Sequence, residues 1–105
     1  MKRPVLIAVS LILWAQGSWG TEISTPRRAE LLNLLKHDCG SCHGLSLKGG
    51  LGPALTPDYL VGKPIDFLVA TILYGRPGTP MPPWRPFLSD PEAFWLAEQI
   101  KAGVR

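Results

Sequence analysis

The pentapeptide Cys39-Gly40-Ser41-Cys42-His43 gathers two thiols and an imidazole within one short stretch of chain. Two cysteines separated by two residues and followed at once by histidine form the spacing of covalent haem attachment. The chemistry explains the spacing. Two thiols must reach the two vinyl groups on one edge of a porphyrin, and the next residue must turn under the ring. His43 then offers an imidazole nitrogen to the iron from the proximal side. Small Gly40 and Ser41 let the loop lie close to the macrocycle. One covalently bound haem c is therefore the expected cofactor. Cys39 and Cys42 are its expected thioether anchors, and His43 its proximal ligand.

Other uses of these residues fit less well. A thioredoxin-like cysteine pair belongs after a strand in a βαβ setting, and no strand pattern precedes Cys39. A zinc site needs four ligands, and His37 lies too close along the chain to Cys39, Cys42 and His43 to complete the usual second pair. A disulfide across two residues would be strained and would leave His43 unused.

The sixth iron position points to Met81, the one methionine beyond residue 20, which sits in Gly78-Thr79-Pro80-Met81-Pro82-Pro83. Core methionines usually fill gaps on helix faces. Prolines instead hold a loop in one conformation, which suits a weak thioether–iron bond. His37, near the end of the same helix as His43, reads as a histidine interacting with the helix dipole. The Pro53 carbonyl is a candidate acceptor for the second ring nitrogen of His43, which would fix the ring. Trp84, Tyr59, Tyr74 and Phe67 are candidates to pack on the cofactor.

Three helices and two irregular loops must position these groups. Thr25-Pro26 reads as an N-cap with proline at the first helical position. Ala29, Leu31, Leu32, Leu34 and Leu35 continue as an apolar stripe to about His37, and Gly40 and Gly44 break it. Residues 44–57 are rich in glycine and proline, and Thr56-Pro57 caps a short turn through Leu60. Ile65 to Tyr74 forms the second helix, stopped by Gly75. The five prolines between 77 and 86 exclude regular structure there. The last helix starts at Ser89-Asp90-Pro91-Glu92, with either Ser89 or Asp90 as cap, and ends at Gly103. No run alternates with period two, so the fold class is all-α and loop-rich.

Of the 105 residues, 46% are apolar and 18% charged, with a formal charge of +3. No block of like charges is present, which argues against a disordered tail or a nucleic-acid arm. Residues 1–20 open with Lys2 and Arg3, run apolar from Pro4 to Ala15, and end with small residues at Ser18 and Gly20. This describes a cleaved secretory signal peptide, since the apolar run is short for a membrane span. Cleavage leaves residues 21–105 as a single domain with a charge of +1, free of the membrane. Such a small domain gains from a cofactor as a staple. Within 39–86, Lys48, Lys63, Arg76 and Arg85 outnumber Asp58 and Asp66, so a weakly positive rim around the cofactor is expected to attract an acidic partner.

The helix leading into Cys39–His43, then Gly52-Pro53-Ala54-Leu55, then Gly75-Arg76-Pro77-Gly78-Thr79-Pro80-Met81-Pro82 and the closing helix together resemble the class I c-type cytochromes. The resemblance runs from about Thr25 to Lys101. It implies a small class I cytochrome c fold, with three main helices and long loops around one covalently attached haem. It implies His43 and Met81 as axial ligands and Pro53 as the partner of His43. It also implies terminal helices that cross through Leu32, Leu35, Trp95 and Ile100. Leu51-Gly52-Pro53-Ala54-Leu55-Thr56-Pro57 and the Gly75–Trp84 segment are most similar to the c55X group of nitrite-respiring bacteria. That group implies a periplasmic single-electron carrier rather than an enzyme. Its implied partners are cytochrome cd1 nitrite reductase and an upstream quinol-oxidising donor. Maturation of d1 haem, or donation to a different oxidase or peroxidase, remain as alternatives. An open iron would instead allow ligand binding or peroxidase chemistry.

Overall fold

The computed structural model describes residues 2–5 and 22–104. The signal-peptide expectation for 1–20 thus falls almost wholly outside the described residues. No helix among the described residues is long and apolar enough to cross a membrane. The elements are α1 (Thr25–Leu34), a π-helical turn (Leu35–Cys39), α2 (Gly40–His43), α3 (Pro57–Leu60), α4 (Ile65–Tyr74) and α5 (Asp90–Ala102). No strand occurs among the described residues, so the all-α expectation holds.

The first helical run differs from its expected form at both ends. Its N-cap is Ser24, not Thr25: Ser24 is extended, and its hydroxyl accepts the Arg27 N–H at 3.3 Å. Gly40 does not break the run, because it adopts right-handed helical angles and is buried. The chain instead takes a wider π turn, in which the Gly40 N–H reaches the Leu35 carbonyl, and continues to His43. Gly44, at φ 90°, ends it. The haem-type motif therefore rides on a continuous helix rather than on a loop after one.

α3 and α4 lie where the sequence places them. At the start of α5 the two candidate caps resolve to Ser89. Its hydroxyl accepts the Glu92 N–H at 3.2 Å, and the Glu92 carboxylate accepts the Ser89 N–H at 2.9 Å. Proline follows at the start of the helix, where a missing N–H costs nothing.

The core joins Leu31 and Leu35 to Leu60, Leu68, Leu73, Leu88 and the inner face of α5, formed by Ala93, Leu96, Ala97 and Ile100. Leu32 stands outside it and is exposed, so the α1–α5 crossing uses Leu31 and Leu35. Leu31 and Leu35 are one helical turn apart and share a face, whereas Leu32 points a quarter-turn away. Trp95 lies at the edge of this packing, with the Arg28 guanidinium 5.7 Å from its ring centroid.

Arg27 ties the start of α1 to the start of α5. Its Nε donates to Glu92 at 2.5 Å, and its Nη2 to the Phe87 carbonyl at 3.2 Å. The Arg27 hydrogen bond is the main cause that holds the Glu92 carboxyl below its usual range. A carboxylate depressed in the folded state stabilises fully above its unfolded value, and that stability is lost as pH falls through the lower folded value. Glu92→Gln should therefore lose about 1 kcal/mol at neutral pH and flatten the decline of stability below about pH 4. Acid titrations of unfolding free energy for both proteins would reveal this, and parallel curves would refute it.

Candidate haem site

One cavity of about 710 Å³ collects the chemistry-bearing residues, within the roughly 300–1,000 Å³ of cofactor sites. Cys39, Cys42, His43, Pro53 and Met81 all line it. They arrive from three segments: the end of the first helical run, the 44–56 loop and the 75–84 loop.

The 44–56 loop folds back onto the end of α2 and satisfies its free carbonyls. The Gly49 N–H donates to the His43 carbonyl at 2.8 Å, and the Gly52 N–H to the Cys42 carbonyl at 2.7 Å. Leu47 is held at φ 60°, a strained angle for leucine, by burial and by hydrogen bonds from its N–H to Gly44 and from Leu55 to its carbonyl. This folding brings the Pro53 carbonyl to 2.6 Å from His43 Nδ1. A carbonyl only accepts, so Nδ1 is the donor of this bond, and Nε2 is the ring nitrogen left available to a metal.

Gly52 forms the wall behind this ring. A Cβ there would lie 2.9 Å from both Cε1 and Nδ1 of His43. In the sequence Gly52 stands out only as part of the Gly52-Pro53-Ala54-Leu55 string, which does not show what its missing side chain makes room for.

The 75–84 loop presents Met81. Gly75 ends α4 at φ 68°, and a Cβ on it would come within 2.6 Å of the Met81 carbonyl. The loop returns to α4 through N–H groups of Trp84 and Arg85, which donate to Ile72 and Leu73 carbonyls at 3.0 and 3.1 Å. Those carbonyls lie in the last turn of α4 and lack helical partners.

The remaining lining is largely apolar, with Leu35, Leu68, Ile72, Leu96 and Ile100 among it. Of the four candidate aromatics, Trp84, Tyr59 and Phe67 line the cavity. Tyr74 does not, and lies instead beneath the Arg85 guanidinium. His37 is exposed and outside the lining.

The positive rim is narrower than expected. Lys63 and Arg76 line the cavity, whereas Arg85 is paired with Asp90 and Lys48 lies in a separate shallow depression near Asp58. Asp38, one residue outside the window from which the rim was counted, also lines the cavity.

The donor set suits a haem bound through two thioethers. Cys39 and Cys42 form no disulfide. Among the described residues, no three His, Cys, Asp or Glu side chains converge to hold an ion, so a zinc site is not built here. Burial, followed by the Asp38 carboxylate, pushes the Cys39 thiol up to about 11, which keeps it protonated at neutral pH.

Comparisons with known proteins converge on one group. A family model described as cytochrome c oxidase, cbb3-type, subunit III matches residues 27–100. Cytochrome c55X of Pseudomonas aeruginosa is 61% identical over 77 residues, covering 73% of this chain and 65% of that protein. The match thus spans just under two thirds of that relative's length. Cytochrome c55X of Paracoccus denitrificans is 43% identical over 98 residues, covering 90% of this chain and 91% of the relative. Among solved structures, the c-type cytochrome NirC matches with a TM-score of 0.77 at 57% identity, over 78% of this chain and 96% of its own. Dihydro-haem d1 dehydrogenase NirN in complex with DHE matches with a TM-score of 0.62 at 33% identity. That match covers 67% of this chain and 15% of NirN.

Proposed function

Because this chain belongs to the c-type cytochromes, of the c55X kind, and binds one haem c covalently, we propose that it carries single electrons in the periplasm. Residues 1–20 act as a cleaved export signal and 21–105 as the monohaem domain. The observation that carries this reading is the meeting of Cys39, Cys42, His43 and Met81 around one apolar cavity. The haem iron, cycling between Fe(III) and Fe(II), supplies the one-electron step.

The polypeptide supplies everything else. Cys39 and Cys42 would anchor the macrocycle through thioethers, and His43 and Met81 would be the residues that hold its iron. The Pro53 carbonyl fixes the His43 tautomer and raises its basicity as a ligand. Leu35, Leu68, Ile72, Leu96 and Ile100 keep the cavity dry, and with Met ligation this favours the reduced state. Leu51 and Phe67, both exposed, line the same cavity as Lys63 and Arg76. Apolar and cationic side chains on one cavity lining suit a brief encounter with an acidic protein surface. The natural partners on this reading are cytochrome cd1 nitrite reductase as acceptor and a quinol-oxidising donor.

Visible spectra of the purified holoprotein and a Met81→Ala variant test the carrier reading. The wild type should show a sulfur-to-iron charge-transfer band when oxidised and should not bind carbon monoxide when reduced. The variant should lose the band and bind carbon monoxide. A wild type that binds carbon monoxide as readily as the variant would show that Met81 leaves the iron open. For the partner, stopped-flow mixing of reduced protein with nitrite reductase should give transfer within a turnover, slowed by added salt.

A second reading, service to d1-haem maturation, has support in the likeness to NirN, whose described structure holds DHE. Transfer too slow for turnover would favour it. Under that reading, deletion of the gene would leave nitrite reductase present but without d1.

A further inference from the structure

We propose that the hydroxyl of Thr79 is the positioning group for Met81, holding its backbone in the one conformation that presents the thioether to the cavity. The inference rests on Met81 as an axial ligand and goes further, by naming what fixes that ligand in place.

Met81 stands between Pro80 and Pro82-Pro83. Proline has no N–H, so residues 80–83 contain a single backbone donor, that of Met81. It donates to Thr79 Oγ1 at 3.3 Å. The Met81 carbonyl accepts the Arg76 N–H at 3.1 Å. Thr79 Oγ1 in turn donates to the Arg76 carbonyl at 2.6 Å, and the Thr79 N–H reaches the same oxygen at 3.1 Å. Both polar backbone groups of Met81 therefore close onto the 76–79 turn. The Thr79 hydroxyl is the side-chain group that joins the two halves, as acceptor from one and donor to the other.

No core packing competes for this role. Residues 76–80 are exposed, and the neighbouring core leucines are Leu73 and Leu88, outside the loop. The prolines fix φ at positions 80, 82 and 83, and Pro82 biases ψ of Met81 to extended values, but φ of Met81 is left to other restraints. Gly75 limits the loop from one side through its close approach to the Met81 carbonyl. The hydrogen bond through Thr79 supplies the restraint at the Met81 nitrogen. A thioether binds iron weakly, so freedom returned to the loop competes directly with the ligand bond.

Thr79→Val keeps the shape and removes the hydroxyl, Thr79→Ala removes it without bulk, and Thr79→Ser keeps it. Imidazole added to the ferric holoprotein must displace Met81 to bind. Loss of the two neutral hydrogen bonds that the hydroxyl makes, about 1 kcal/mol each, should make imidazole bind at least about fivefold more tightly to Thr79→Val and Thr79→Ala. Both should show a weaker sulfur-to-iron charge-transfer band, and Thr79→Ser should keep wild-type values for both readouts. If one hydroxyl-free variant fails to fold, the other answers the question. Wild-type imidazole affinity and band in the hydroxyl-free variants would overturn the proposal, as would a Thr79→Ser variant shifted as far as they are. A wild type with no charge-transfer band would instead remove the ligand reading on which the proposal stands.

Discussion

Gly52→Val should yield a protein that retains little haem, and what it retains should have lost its normal axial field. A Cβ at position 52 would stand 2.9 Å from two atoms of the His43 ring and 3.4 Å from Nε2, against the face of an aromatic group with no slack. The ring cannot yield without cost, because Nδ1 is bonded at 2.6 Å to the very next residue, Pro53. Moving the ring breaks that bond, and moving the backbone of 52 and 53 strains the Gly52 N–H bond to Cys42, which carries one of the thiols. Loss of an outer partner alone typically costs a metal ligand 10–100-fold in affinity, and here the imidazole itself is also displaced. We expect haem per polypeptide to fall to roughly a tenth or below, with a high-spin spectrum in the remainder. Haem staining and pyridine haemochrome assay on the purified protein would measure this. Wild-type haem content with a low-spin spectrum would show that Gly52 is merely a flexible loop residue.

That prediction could not be made from the sequence, and the reason is physical. Cys39, Cys42 and His43 were legible because their spacing is dictated by the cofactor's own dimensions. Met81 was legible as a candidate because prolines surround it, and the structure places it in the cavity lining. Gly52 acts through the absence of a side chain at one point in space, which appears only once the 44–56 loop has folded back onto α2. The π turn was hidden for a related reason. A glycine at position 40 reads as a helix stop by propensity, yet tertiary packing holds it in helical angles beneath Leu45 and beside Leu35. The choice of Leu31 over Leu32 for the α1–α5 contact depends on helix phase, which a leucine-rich stripe leaves ambiguous. Local chemistry carried the stop at Gly75 and narrowed the cap of α5 to Ser89 or Asp90, and the structure selects Ser89. The charged rim failed in part because counting charges along the chain ignores pairing. Asp90 neutralises Arg85 locally, whereas Asp38 brings its charge to the cavity from just outside the counted window.

Leu31→Ala and Leu96→Ala should each lower the unfolding free energy of the holoprotein by about 3 kcal/mol, yet only the second should change its redox behaviour. Both leucines are core residues, 0% and 2% exposed, and truncation of either removes transfer energy and leaves a void. A domain of this size holds about 5–15 kcal/mol in total, so either loss removes a large fraction. The voids differ in where they open. Leu31 is enclosed between α1 and the inner face of α5 and does not line the cofactor cavity. Leu96 belongs to the same core and also lines the cavity, so its truncation enlarges the space beside the haem. Water admitted there solvates the charged ferric state better than the reduced one, which lowers the reduction potential. Denaturant unfolding should therefore rank the two variants together, and redox titration should separate them. A Leu31→Ala variant whose potential falls as far as that of Leu96→Ala would mean that core and cavity relax as one body. Equal potentials in all three proteins would mean that the apolar wall of α5 has no part in setting the iron's affinity for its electron.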